Sequence, residues 1–222
     1  MKVHELFEKF DKYDIHDVTT LPKKKELDSA EKIAKVIRDN CGEMLTAYQK
    51  TNNVLYRGMS SYAPAVMTAI RQNRKPAEMP GAYHDVLHQL FLELGLKATR
   101  KNSIFCSCSL KIAEKWERSS YIIFVKDGWS GLVFEKTKTD YNYYAMRDIA
   151  HDYQDQRIEK PEALAKIQKL KPLEINNASA LEEVLRKKYE DVLITGDSYL
   201  ALSVENSLTK KVLKLLKIEG VL

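Results

Sequence analysis

Long apolar runs are missing from this chain. No stretch approaches the roughly 20 residues that a helix needs to cross a bilayer, so no membrane partner is expected. Residues 1–8 lack the apolar centre of a signal peptide, which makes a cytoplasmic location the expectation. Cysteine is scarce. Cys41, Cys106 and Cys108 do not make a disulfide framework, and Cys106 with Cys108 is too little for a zinc site without further ligands. Both are expected as small buried residues of a strand. Neither a Gly-x-Gly-x-x-Gly turn nor a P-loop occurs, which argues against the usual glycine-rich cradles for nucleotides. Internal repeats and low-complexity tracts are absent. So is an aromatic-interleaved basic stripe of the kind RNA-binding modules carry along their sequence.

What is present describes an ordinary globular protein. The 222 residues are 44% hydrophobic and 30% charged, enough for one sizeable core. We expect one domain over residues 1–222, with helices in 1–50 and the rest of the fold in 51–222. The net charge of +5, from 36 basic and 31 acidic residues, permits an acidic partner without requiring nucleic acid.

The periodicities are mixed. Val3, Leu6, Phe7 and Phe10 predict a short helix over residues 2–13. Lys23-Lys24-Lys25 reads as linker. Asp28 with Glu31 predicts a helix start, and Ile33, Ile37, Cys41, Leu45 and Tyr48 form the apolar stripe of a helix running to about Lys50, with Gly42 a mild interruption. A short helix is expected over residues 65–71, and a longer one from Tyr83 to Leu94, closed by Gly95. Further helices are expected at 110–118, from Tyr143 onward, at 161–170, from a capping Ser179 to Lys188, and from Ser207. Strands are expected at 54–58, 103–109, 121–125, 132–134, 189–194 and 199–203. Helices first, then short strands mixed with helices, point to an α+β fold with small antiparallel sheets.

Three stretches concentrate the polar chemistry. Val54-Leu55-Tyr56-Arg57-Gly58 ends a short strand on an arginine, whose planar fork of donors suits phosphate oxygens. Gly58 beside it lets a ligand approach the backbone. In Ser103-Ile104-Phe105-Cys106-Ser107-Cys108-Ser109, Phe105, Ser107 and Ser109 share one face of a strand, and Ile104, Cys106 and Cys108 the other. Ser109 can instead cap the helix that follows. Tyr189-Glu190-Asp191-Val192-Leu193-Ile194 opens a strand with two acids. A strand arginine, a Phe-x-Ser-x-Ser strand leading into a helix, and an acid before an apolar strand follow one another over residues 54–194. This order resembles the arginine–serine–glutamate class of ADP-ribosyltransferases, most closely the versions found in tailed phages.

The resemblance implies an ADP-ribosyltransferase-like fold and transfer of ADP-ribose from NAD to a macromolecule, with release of nicotinamide and without a metal. It implies that Arg57 holds the dinucleotide, and that Ser107 supports the nicotinamide ribose and the acid. Phe105 would pack beneath the site, and Gly58 and Ser109 would stand beside the dinucleotide. The acceptor implied is a host protein in the cytoplasm of the infected bacterium, with a nucleic acid as the other option. Two departures stand out. Cys108 replaces the family's threonine. Asp191, one methylene shorter, stands where the family has glutamate, so either Asp191 or a bulged Glu190 is the catalytic acid, or the chain is a silent binding relative. Tyr189 stands where many members carry Glu or Gln to guide the acceptor. A separate pair, His84 and His88, has the i, i+4 spacing of zinc ligands, with the group around His151 as the nearest candidate for a third. Two histidines on a polar helix face are the preferred reading over a zinc hydrolase. The tyrosines of 141–153 either line the cleft or pack at a sheet edge.

Overall fold

A computed structural model describes residues 23–74, 79–135 and 141–222. The helix expected at 2–13 lies outside these residues. Helix α1 spans Lys23–Asn40 and α2 Gly42–Thr51. The three lysines expected in a linker therefore open α1, and Asp28 is interior to the helix. Lys, Glu and Leu are all good helix formers, which carries the helix past that weak cap signal. The expected single helix breaks at Cys41, whose φ is −130° and ψ 37°. The Asp127 carboxylate accepts from the Gly42 and Glu43 amides at 2.9 and 3.0 Å, capping the new N-terminus. The stripe Ile33, Ile37, Cys41, Leu45 and Tyr48 is buried as expected. Tyr48 donates its hydroxyl to the Ile123 carbonyl at 2.7 Å and accepts from the Leu55 amide, tying α2 to two later segments of the chain.

Among the described residues eight helices surround two four-stranded sheets, and every strand pair is antiparallel, as the α+β expectation requires. The remaining elements are β1 Tyr56–Met59, β2 Ala65–Ala69, α3 Gly81–Glu93, β3 Ile104–Cys106, α4 Leu110–Trp116, β4 Ser119–Val125, β5 Ser130–Phe134, α5 Tyr141–Gln154, α6 Lys160–Lys169, β6 Pro172–Ile175, α7 Ala178–Lys187, β7 Val192–Thr195, β8 Ser198–Ser203 and α8 Ser207–Leu215. The first sheet has the order β1-β4-β8-β2 and the second β3-β7-β5-β6. No helix of the described residues is long and apolar enough to cross a membrane.

Departures from the expected elements continue further along the chain. Residues 65–69 form strand β2, not a helix, because β8 offers an open edge and pairs with it from Ala65 opposite Leu202 to Ala69 opposite Ser198. Strand β6 was not anticipated. It is four residues long and begins on Pro172, which a sheet accepts at an edge. The N-cap of α7 is Asn177, two residues before the expected Ser179, and its side chain accepts from the Ala180 amide at 2.9 Å.

The sheets divide the interior in two. The larger core joins α1, α2, α7 and α8 to the first sheet and to one face of the second, through residues such as Ile104, Cys106, Val133 and Ile194. The smaller core lies on the other face of the second sheet. There Leu132, Phe134 and Leu193 meet Leu87, Leu90 and Phe91 of α3, Met146 and Ile149 of α5, and Ile167 of α6. The sheets meet at one bridge between edge strands. Tyr56 donates its amide to the Ser107 carbonyl at 2.7 Å and accepts from the Ser107 amide at 2.8 Å. A cleft lies on the side of this bridge where β1 continues to Met59 and β3 runs back to Ile104.

Candidate active site

The cleft encloses a cavity of about 900 Å³, near the upper end of the range for small-molecule sites. Its walls come from β1, β2, β3, α4 and the loops beside them, with His84 of α3, Tyr144 of α5, Asp191 and Tyr199 completing it. Four arginines, Arg57, Arg71, Arg74 and Arg100, line it together with Lys115, against only two carboxylates, Asp191 and Glu117.

Arg57 extends from β1 across the gap between the sheets. Its Nη1 donates to the Phe105 carbonyl at 2.8 Å, and its guanidinium hydrogen-bonds the Tyr199 side chain. The Nε of Arg57 and the Nη1 of Arg74 are buried and have no hydrogen-bond partner among the described residues. The guanidinium carbons of Arg74 and Arg100 lie 4.6 and 4.5 Å from the centroid of the Phe105 ring, within cation–π range. Burial, then Arg57 and Arg100, pushes the Arg74 guanidinium down to about 10. Crowded guanidiniums with donors to spare are a strained arrangement that an anion relieves.

Asp191 immediately precedes β7 and lines the cavity, with its Oδ1 buried. Pairing of Val192 with Cys106 places the acid beside the serine strand. Arg57 and Asp191 act with opposite sign on the Cys106 thiol, so both charges lie within electrostatic reach of that one residue. Burial is the larger influence there and holds the thiol at about 12. Cys41 and Cys108 are likewise pushed up to about 12 by burial, as befits packing residues.

Arg57, Gly58, Phe105 and Asp191 are thus brought together, whereas Ser107, Ser109 and Glu190 do not line the cavity. Ser107 is fully buried and its Oγ accepts from the Ser109 amide at 3.0 Å. The hydroxyl expected to face a ribose instead shapes the strand-to-helix turn. Ser109 occupies the N-cap position of α4, but its side chain makes no capping bond; its carbonyl accepts from the Ile112 and Ala113 amides, both at 3.2 Å. Gly58 has a packing reason besides its place in the wall. A Cβ there would stand 2.6 Å from the Ala113 carbonyl oxygen and 2.8 Å from the Glu117 amide nitrogen, so only glycine lets α4 lie on β1. Glu190 is half-buried outside the cleft, and Tyr189 is buried, its carbonyl accepting from the Cys108 amide.

The histidine pair separates. His84 is 3% exposed and lines the cavity, and burial followed by Arg100 pushes its pKa down to about 4, leaving a neutral imidazole. His88 Nδ1 lies 2.9 Å from Thr99 Oγ1, in the loop before β3. His151 sits between Asp152 and Asp155 beside Arg157 on α5. Among the described residues no group of three His, Cys, Asp or Glu side chains is arranged to hold a metal ion.

Sequence reasoning missed Arg71, Arg74, Arg100 and Tyr199 as wall residues. Arg71 ends the helix expected over 65–71, and Arg74 and Arg100 fall between expected elements. No family model, no curated protein and no solved structure matches the chain.

Proposed function

We propose that the chain is an ADP-ribosyltransferase that takes NAD into this cavity and transfers its ADP-ribose to a macromolecular acceptor. The two sheets then serve as an ADP-ribosyltransferase-like scaffold. The observation that carries this reading is the meeting of Arg57, Phe105 and Asp191 in one arginine-rich cavity. These residues come from three distant stretches, and the resemblance gives each a place at the site. The spare donors of Arg57 and Arg74 suit a pyrophosphate, and Phe105 offers an apolar surface to a ring system. Asp191, which lines the cavity, is the carboxylate assigned to the sugar in this reading. In the transfer, the bond from ribose C1′ to the nicotinamide nitrogen breaks and its electron pair leaves with neutral nicotinamide. The acceptor nucleophile forms the new bond to C1′ and loses a proton. Between the two events the sugar carries positive charge, which a fixed carboxylate stabilises by a few kcal/mol.

Nicotinamide release from labelled NAD, with and without cell lysate, tests this. Asp191→Asn keeps the shape and removes the charge, and should cut release by about 100-fold or more. Arg57→Ala should weaken NAD binding, while Glu190→Ala should leave release near wild type. A second reading is a silent NAD-binding relative, favoured by the engagement of the Ser107 hydroxyl with the Ser109 amide. It predicts an NAD-dependent rise in melting temperature with no nicotinamide released.

A further inference from the structure

We propose that the rim of the cavity is a docking surface for single-stranded nucleic acid, with bases stacked on Tyr62 and Tyr144 and backbone phosphates drawn to the arginines within. Four large hydrophobic side chains are exposed among the described residues, and two of them are these tyrosines, at 73% and 52%. Each has an arginine beside it. Arg118 Nη1 donates to the Tyr62 hydroxyl at 3.4 Å, and the Arg147 guanidinium carbon lies 5.2 Å from the Tyr144 ring centroid.

Tyr144 belongs to the cavity wall, and the Tyr62–Arg118 pair adjoins that wall along the chain. Tyr62 directly follows the wall residues Ser60 and Ser61, and Arg118 directly follows Glu117. The Tyr62 loop is held in place, because the Tyr121 hydroxyl lies 2.9 Å from the carbonyl oxygens of both Ser61 and Ala63. An exposed ring presented by an anchored loop, beside a cation and adjoining the wall of an arginine-lined cleft, matches what an unpaired base and its phosphate require. An acidic peptide would satisfy the charge but offer no planar base to stack on the two rings. The stripe absent along the sequence is assembled here from residues that the fold gathers. The inference rests on the charge and rim of the cavity, and its test uses no NAD, so its failure leaves the transferase reading standing and failure of nicotinamide release leaves this one standing.

The test is fluorescence anisotropy of the full chain with single-stranded DNA and RNA of about 12 nucleotides, near the upper part of the usual site size. Three phosphate contacts predict a slope of about −2 for log affinity against log salt. Tyr62→Ala and Tyr144→Ala should each weaken binding about tenfold, while the Phe variants stay near wild type. Both tyrosines are exposed, so loss of binding cannot be ascribed to unfolding, and the Phe variants check this. A poly-glutamate peptide should compete poorly. Absence of binding at low salt, alanine variants that bind like wild type, or equal competition by poly-glutamate would each overturn the proposal.

Discussion

Arg57 and its neighbour Gly58 show how tightly the cleft depends on single residues. The guanidinium bridges the sheets through the Phe105 carbonyl, while the glycine lets α4 approach β1. Gly58→Ala would drive a methyl group into backbone atoms of α4 that cannot step aside. We expect a loss of about 2–3 kcal/mol, read as a lower urea midpoint. His84 gives a pH-dependent prediction. Its folded pKa of about 4 lies below its unfolded value near 6.5, so between those values the unfolded chain binds the extra proton. This histidine therefore lowers stability as pH falls from about 6.5 to 4, and has no such effect above 7. In His84→Gln the urea midpoint should fall less steeply over that window than in wild type. Identical slopes would show that His84 titrates as an ordinary surface histidine.

The elements show where sequence periodicity suffices and where it does not. The helices α3, α6, α7 and α8 were legible because their apolar residues recur at three and four. Val66 and Thr68 in β2 favour a strand only weakly, and five residues fit either period. The edge of β8, far along the chain, made that decision. Strand β6 escaped notice because Pro-Leu-Glu-Ile is too short to establish alternation. Helix ends offer a direct test of local energetics. Lys188 closes α7 in the left-handed region at φ 55°, a conformation that costs a residue with a Cβ about 1 kcal/mol or more. Lys188→Gly should raise the melting temperature by a few degrees, less the entropy that glycine gives the unfolded chain. A lowered melting temperature would mean that the lysine side chain contributes more than the cap conformation costs.

At the scale of the whole molecule, two sheets joined at the Tyr56–Ser107 bridge leave a cleft, and the charges of the chain are distributed unevenly around it. A net charge of +5 over 222 residues hides this concentration, because arginines at 57, 71, 74 and 100 meet only after folding. The parts of the site on or directly beside strands, Arg57, Phe105 and Asp191, were legible because a strand and its flanking residue types leave a local pattern. The loop arginines were not, since a loop residue's position is fixed by what it packs against and not by its neighbours in sequence. Ser107 was misplaced for a related reason. Alternation assigned it a face, but the bridge to Tyr56 and the turn into α4 buried its hydroxyl.

The central claim is that a cavity shared by Arg57 and Asp191 takes NAD and breaks its glycosidic bond. Nicotinamide release by wild type and Asp191→Asn, measured beside NAD-dependent thermal shift, tests it most directly. We predict a shift in both proteins and release by wild type alone. Release that persists in Asp191→Asn, or wild type that neither shifts nor turns over, would contradict it.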